Sequence, residues 1–291
     1  MDQRPVYASM PTMTQNAASP QWPSHWKGRP ETGHDPLEGM RADGTIVTGA
    51  SLHRIAPAFK AVLSDAVERV SALGENHSLY VYGSVATGTA RVGRSDLDLV
   101  TVGLSPDDAA RISQDLSAKY AQLCRGVDIG AAQRSDHDGP GDAAYGNRVF
   151  LRHYCVHLAG PDVGQGLTDF PADDAAARGF NGDIGLCAER WRFEALGHPY
   201  PPLLGRRIAR KTLLALAGLV SVHDGLWTTD RVAAAWRWGL LRPSQAGSLR
   251  TLVAWIEPGA TGPSPSEVQI VLDGVVADVV GAFRQTIGLW R

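Results

Sequence analysis

The chain has 291 residues, 44% of them apolar and 20% charged, with a formal net charge of −2. That is the profile of a soluble globular protein of one large or two modest domains, and it excludes the strongly basic footprint of a duplex-binding protein. No run approaches the ~18–20 apolar residues that span a bilayer. Three widely spaced cysteines (Cys124, Cys155 and Cys187) with no C-x-x-C exclude a disulfide framework and a zinc site.

Residues 1–50 hold six prolines and no sustained period, and they are expected to form a disordered arm. The first twenty lack the apolar segment of a secretory signal, so a cytoplasmic protein with no membrane contact and no disulfide partner is expected. Leu52, Ile55, Phe59, Leu63, Ala66 and Val70 recur every three or four residues, which predicts a helix over 52–73. A strand follows at 79–82, then a glycine-containing turn at 83–93 and a second strand at 97–102. Ser105-Pro106-Asp107-Asp108 caps a helix that runs to about residue 123. A third strand is predicted at 127–129. Residues 135–146 read as a glycine- and aspartate-rich loop, and 149–158 is ambiguous between helix and strand. Helices are predicted from residue 173 onward, over 206–223, from a cap at Thr228-Thr229-Asp230, and from a capping box at Ser264-Pro265-Ser266-Glu267. The expected class is α+β: a small mixed-sheet domain at 51–165 and an all-helical domain at 166–291.

The informative stretch is Gly83-Ser84, eleven intervening residues, then Asp96-Leu97-Asp98-Leu99. Alternate residues of a strand share a face, so Asp96 and Asp98 project together while Leu97 and Leu99 pack behind them. Paired carboxylates repel unless a cation lies between them, and Mg²⁺ is a hard ion that prefers such oxygens. Gly83 permits close backbone approach to a phosphate, and Ser84 can hold phosphate oxygens. Asp128, in the third predicted strand, completes a carboxylate triad as general base or further metal ligand. Arg94 and Ser95 abut the acids and are candidates for a triphosphate. Further on, Arg206, Arg207, Arg210 and Lys211 form a basic run, from which Arg207 and Lys211 are taken as nucleotide-binding candidates. Because 24 of the 28 basic residues are arginine, a single arginine says little by itself. His153 and His157, four apart, could pair on one helix face but have no third ligand nearby.

The Gly83-Ser84…Asp96-x-Asp98 conjunction resembles the DNA polymerase β-like nucleotidyltransferase superfamily. The resemblance implies a sheet carrying the three acids, two Mg²⁺ ions and transfer of a nucleoside monophosphate from ATP or another nucleoside triphosphate, with pyrophosphate released. Residues 213–218, 224–227 and 232–236 resemble the C-terminal helical domain of aminoglycoside (streptomycin/spectinomycin-type) adenylyltransferases. The chain departs from that pattern at Gly218 and Leu226, where the family commonly carries basic residues. The implied partners are a nucleotide and a small polar acceptor. The alternatives are a toxin-type enzyme that modifies tRNA or protein, and a non-catalytic nucleotide-binding or antitoxin-like module.

Overall fold

The computed structural model describes residues 35–197, 201, 203–257 and 259–290. The expected arm at 1–34 therefore lies outside the described residues. Over 35–50 the structure differs from the expectation. Two short strands, β1 (Gly39–Met40) and β2 (Ile46–Val47), pair antiparallel. Ile46 is fully buried, and its amide donates to the Phe170 carbonyl at 2.9 Å. Two-residue strands are too short to leave a period in the sequence, so composition misled here.

The region read as one helix over 52–73 is broken near Pro57 and begins in 3₁₀ turns. Pro57 opens the second turn, and α1 follows at Lys60–Ser71. Then come β3 (Ser78–Tyr82), the single-turn helix α2 (Gly83–Thr87), β4 (Leu97–Val102), α3 (Pro106–Lys119) and β5 (Val127–Ala132). After a 3₁₀ turn come α4 (Asp142–Tyr154) and β6 (Val156–Ala159). The ambiguous stretch is thus both things in turn. His153 lies in α4 and His157 in β6, so they form no pair.

The sheet order is β5-β4-β3-β6. The β4–β5 pair is parallel, and the β3–β4 and β3–β6 pairs are antiparallel. One face packs Leu79, Val81, Leu97, Leu99, Val127 and Ile129 against α1 and α3 in one core cluster. The opposite face carries Tyr80 and Val102, which meet Leu151 of α4. By strand alternation Tyr82, Asp98 and Asp128 share that second face.

The remaining helices are α5 (Asp174–Asn181), α6 (Ile184–Ala195), α7 (Leu204–Asp224), α8 (Arg231–Leu241), α9 (Ala246–Ile256), α10 (Pro265–Val271) and α11 (Ala277–Thr286), with a π-turn at Leu272–Val276. Central α7 is buried along most of its length and anchors a second core. Val149 of α4 joins that helical core while Leu151 of the same helix faces the sheet, so α4 bridges the halves. Glu38 ties the β1–β2 segment down as well. Its carboxylate accepts from the Tyr154 hydroxyl at 2.7 Å, the Thr229 amide at 2.8 Å and the Thr229 hydroxyl at 2.7 Å. Among the described residues no helix is long and apolar enough to cross a membrane, and all three cysteines are free.

Candidate active site

The ladder itself assembles the acids. Asp98 on β4 pairs with Tyr82 on β3 to one side and with Asp128 on β5 to the other. Neighbouring strands lie about 4.8 Å apart, so Asp98 and Asp128 stand side by side on one face. Asp96 precedes β4 by one residue. Burial pushes the Asp98 carboxyl up to about 6, and the charges of Asp96 and Asp128 push the same way; Arg210 and Arg125 oppose them. The Tyr82 hydroxyl is likewise raised, first by burial and then by Asp98 and Asp128. Its ring packs edge-on against Phe150 at 5.0 Å.

Hard oxygen donors crowded in this way suit a divalent cation such as Mg²⁺, so the donor chemistry fits. One member is otherwise engaged, because Arg125 grips Asp96 through both carboxylate oxygens. Among the described residues no group of three His, Cys, Asp or Glu side chains converges to hold a metal ion.

Gly83 has a φ of +69°, and a Cβ there would stand 2.6 Å from Asp98 Oδ2. A side chain at this position would therefore meet both backbone strain and a carboxylate. The turn after α2 is closed by the Thr89 and Ala90 amides, which donate to the Ser84 carbonyl at 2.9 and 3.0 Å. The Ser95 hydroxyl accepts from the Arg91 amide at 2.9 Å and fixes the approach to Asp96.

A cleft of about 350 Å³ opens above the acids. Ser84, Arg94, Ser95, Asp96 and Asp98 line it from the first half of the chain, joined by Arg125. Arg206, Arg210, Arg231 and Ile256 line it from the helical half. An adjoining cavity of about 460 Å³ shares Asp96, Arg125, Arg206 and Arg210, and adds Leu203, Arg207 and Gly259. Five guanidinium groups facing two carboxylates give the cleft a positive field suited to a polyphosphate.

The basic run on α7 is corrected by helix geometry. Residues 206 and 210 lie on one ridge and residues 207 and 211 on the next, about 100° round. The first ridge faces the cleft. Lys211 does not reach it: its ammonium lies 2.6 Å from Asp183 and donates to the Phe180 carbonyl at 3.0 Å, within the helical half. Arg207 is ion-paired with Glu194 and reaches only the adjoining cavity. Arg206 keeps a buried Nε with no hydrogen-bond partner, an orphan donor beside an anion-sized space. Arg231, the first residue of α8, was not legible in the sequence. Burial, reinforced by Arg210, lowers its guanidinium to about 10.

The departures from the helical-domain pattern also find a reason. Gly218 is buried, and a Cβ there would lie 3.3 Å from Ala177 and 3.6 Å from Phe283. A larger side chain there would need Ala177 to give by a few tenths of an ångström. Leu226 is exposed in the turn between α7 and α8.

Residues 63–128 match the nucleotidyltransferase domain family. The matched nucleotidyltransferase segment is less than half of the chain, starts within α1, carries Gly83, Ser84, Asp96 and Asp98, and ends on Asp128. Similar solved structures include spectinomycin adenyltransferase AAD(9) from Enterococcus faecialis, crystallised with ATP and spectinomycin. It is 10% identical, the similarity covers 75% of this chain and 98% of that one, and the TM-score is 0.49. No curated protein matches the chain. The Gly-Ser turn, the D-x-D strand and the family match coincide, so residues 63–128 carry a nucleotidyltransferase domain, and the α+β class expected from the sequence is observed.

Proposed function

We propose that the protein transfers a nucleoside monophosphate, AMP from ATP, to a hydroxyl of a small polar, aminoglycoside-like acceptor, with release of pyrophosphate. The observation that carries this reading is the division of charge across one cleft. Asp98 and its carboxylate neighbours stand on the sheet side, and Arg206, Arg210 and Arg231 stand opposite on the helical side. Such a cleft accommodates a triphosphate, whose transfer chemistry needs positioning and charge neutralisation more than covalent help. Its volume is that of a small-molecule site.

In this reading Asp96, Asp98 and Asp128 hold Mg²⁺, which neutralises charge on the phosphates when bound. Ser84, Arg94 and Ser95 line the triphosphate from below, while Arg206, Arg210 and Arg231 draw its outer phosphates toward the helical half. Arg207 reaches only the far end of that path, and Lys211 supports α7 from behind. Asp128, exposed on edge strand β5, takes the acceptor's hydroxyl proton. The acceptor oxygen then bonds to the α-phosphorus, and the bond from that phosphorus to the bridging oxygen breaks as pyrophosphate leaves.

The test is transfer itself. The full chain is incubated with each labelled nucleoside triphosphate, Mg²⁺ and panels of aminoglycosides and other polyhydroxylated small molecules, with tRNA and the chain itself as further arms. Asp96→Asn is run beside it. Label on a small molecule, lost in the variant, supports the proposal. Label on tRNA or protein replaces the acceptor class, and no pyrophosphate with any acceptor overturns the reading.

A further inference from the structure

The role of Arg125 lies outside the sequence pattern and outside the chemistry just described. Its Nε donates to Asp96 Oδ1 at 2.9 Å and its Nη2 donates to Oδ2, a two-toothed grip on a carboxylate. The backbone holds the pair in place: the Arg125 amide donates to the Ser95 carbonyl at 3.0 Å, and the Leu97 amide to the Gly126 carbonyl at 2.9 Å. These bonds start the parallel β4–β5 pairing, so Arg125 cannot drift away from Asp96 as a whole residue. Its side chain can move, being 50% exposed against 34% for Asp96. It lines both cavities, together with Arg206 and Arg210.

Two demands thus meet on Asp96. Ligation of a divalent cation needs its oxygens, and Arg125 occupies them. A guanidinium that grips a carboxylate through two bonds binds a phosphate through the same fork, and a triphosphate in this cleft brings a greater negative charge within reach. We propose that Arg125 is a placeholder cation: it holds Asp96 in the nucleotide-free protein and passes to the incoming triphosphate, freeing Asp96 for the metal. The exchange conserves charge-assisted hydrogen bonds, since each bond lost to the carboxylate is remade to phosphate. Its consequence is ordered loading, in which metal affinity waits for nucleotide. By linkage, the metal tightens nucleotide binding by the same factor. The proposal rests on the nucleotidyl-transfer reading for the identity of the ligands, but its readout is binding rather than turnover.

The experiment measures Mn²⁺ affinity of the full chain by electron paramagnetic resonance, with and without α,β-methylene ATP, in the wild type and in Arg125→Met. Arg206→Met removes a charge from the same cleft without touching Asp96 and serves as the comparison; circular dichroism confirms that each variant is folded. The expected wild type binds Mn²⁺ weakly alone and about 10-fold more tightly with the analogue, within the usual range of coupling between sites. Arg125→Met is expected to bind Mn²⁺ about 10-fold more tightly than wild type without nucleotide, and to gain little more from the analogue. Arg206→Met should leave nucleotide-free Mn²⁺ affinity close to wild type. The proposal is overturned if Arg125→Met leaves nucleotide-free affinity unchanged, if the gain is equal with and without the analogue, or if Arg206→Met raises it as much. Turnover by the wild type without these shifts removes the placeholder alone. The shifts without any nucleotidyl transfer remove the reaction and leave the placeholder standing.

Discussion

Replacing Gly83 with alanine is expected to damage catalysis far more than stability. The residue holds φ at +69°, and the new Cβ would sit 2.6 Å from Asp98 Oδ2. Left-handed backbone costs a non-glycine residue about 1–2 kcal/mol. For a protein of this size each kcal/mol lowers Tm by roughly 2–4 °C, so the backbone strain amounts to a fall of about 2–8 °C. The carboxylate must also retreat by roughly 0.8 Å to reach an ordinary van der Waals separation, and a displacement near 1 Å at a reacting centre can cost about 100-fold in rate. Pyrophosphate release measured against nucleotide concentration, beside a thermal melt, separates the two effects. The expected result is a folded Gly83→Ala protein whose kcat/KM is lower by about 100-fold. A folded variant within about threefold of wild type would show that Asp98 does not need its present position, and the site reading would fail with it.

Other substitutions divide the basic residues by role. Arg231→Met removes a cation that burial and Arg210 both disfavour; it should raise the nucleotide KM about tenfold, as loss of a charge-assisted contact does, while the nucleotide-free protein melts no lower than wild type. Lys211→Met should do the reverse: it strips the partner from Asp183, so the melt falls by an amount typical of a half-buried ion pair, with nucleotide KM unchanged. A third expectation concerns pH. His153 is buried in α4, its Nε2 accepts from the Phe170 amide at 2.9 Å, and burial lowers it to about 4. Unfolded histidine titrates near 6.5, so protons favour the unfolded chain below that value, and stability is lost as pH falls from about 6.5 to about 4. The full loss is on the order of 3 kcal/mol from this group; denaturant melts at a series of pH values should show the slope, and His153→Gln should remove it. A slope that survives His153→Gln assigns the acid sensitivity elsewhere.

The strand that carries the candidate acids was legible because its information is local. Alternation fixes which side Asp98 takes, and Gly-Ser marks the turn before it, so neither needs knowledge of the rest of the chain. The arginines were not legible in the same way. Helix periodicity offers two equivalent ridges on α7, and only the packing of α7 among its neighbours decides that 206 and 210 face the cleft. Arg231 and Arg125 carry no local mark at all in so arginine-rich a sequence. The glycine-rich run taken as a loop over 135–146 misled for a different reason. Gly146 sits inside α4, and a Cβ on it would fall 2.4 Å from Gly179 of α5. The two glycines are there to let helices cross closely, a tertiary demand that composition reads as flexibility.

Glu38 gives the molecule an order of events. The carboxylate that caps the Thr229 amide is separated from it by 191 residues, and Thr229 stands two residues before Arg231. A ribosome delivers Glu38 early and the Thr229 donors late, so these two bonds of the 35–50 segment cannot form until most of the helical half has emerged, after the segment's bonds to Tyr154 and Phe170. The first turn of α8, and with it one wall of the cleft, is therefore completed late in synthesis. Nascent chains halted before residue 229 are expected to leave 35–50 more open to protease than full-length chains do, even where the sheet has formed.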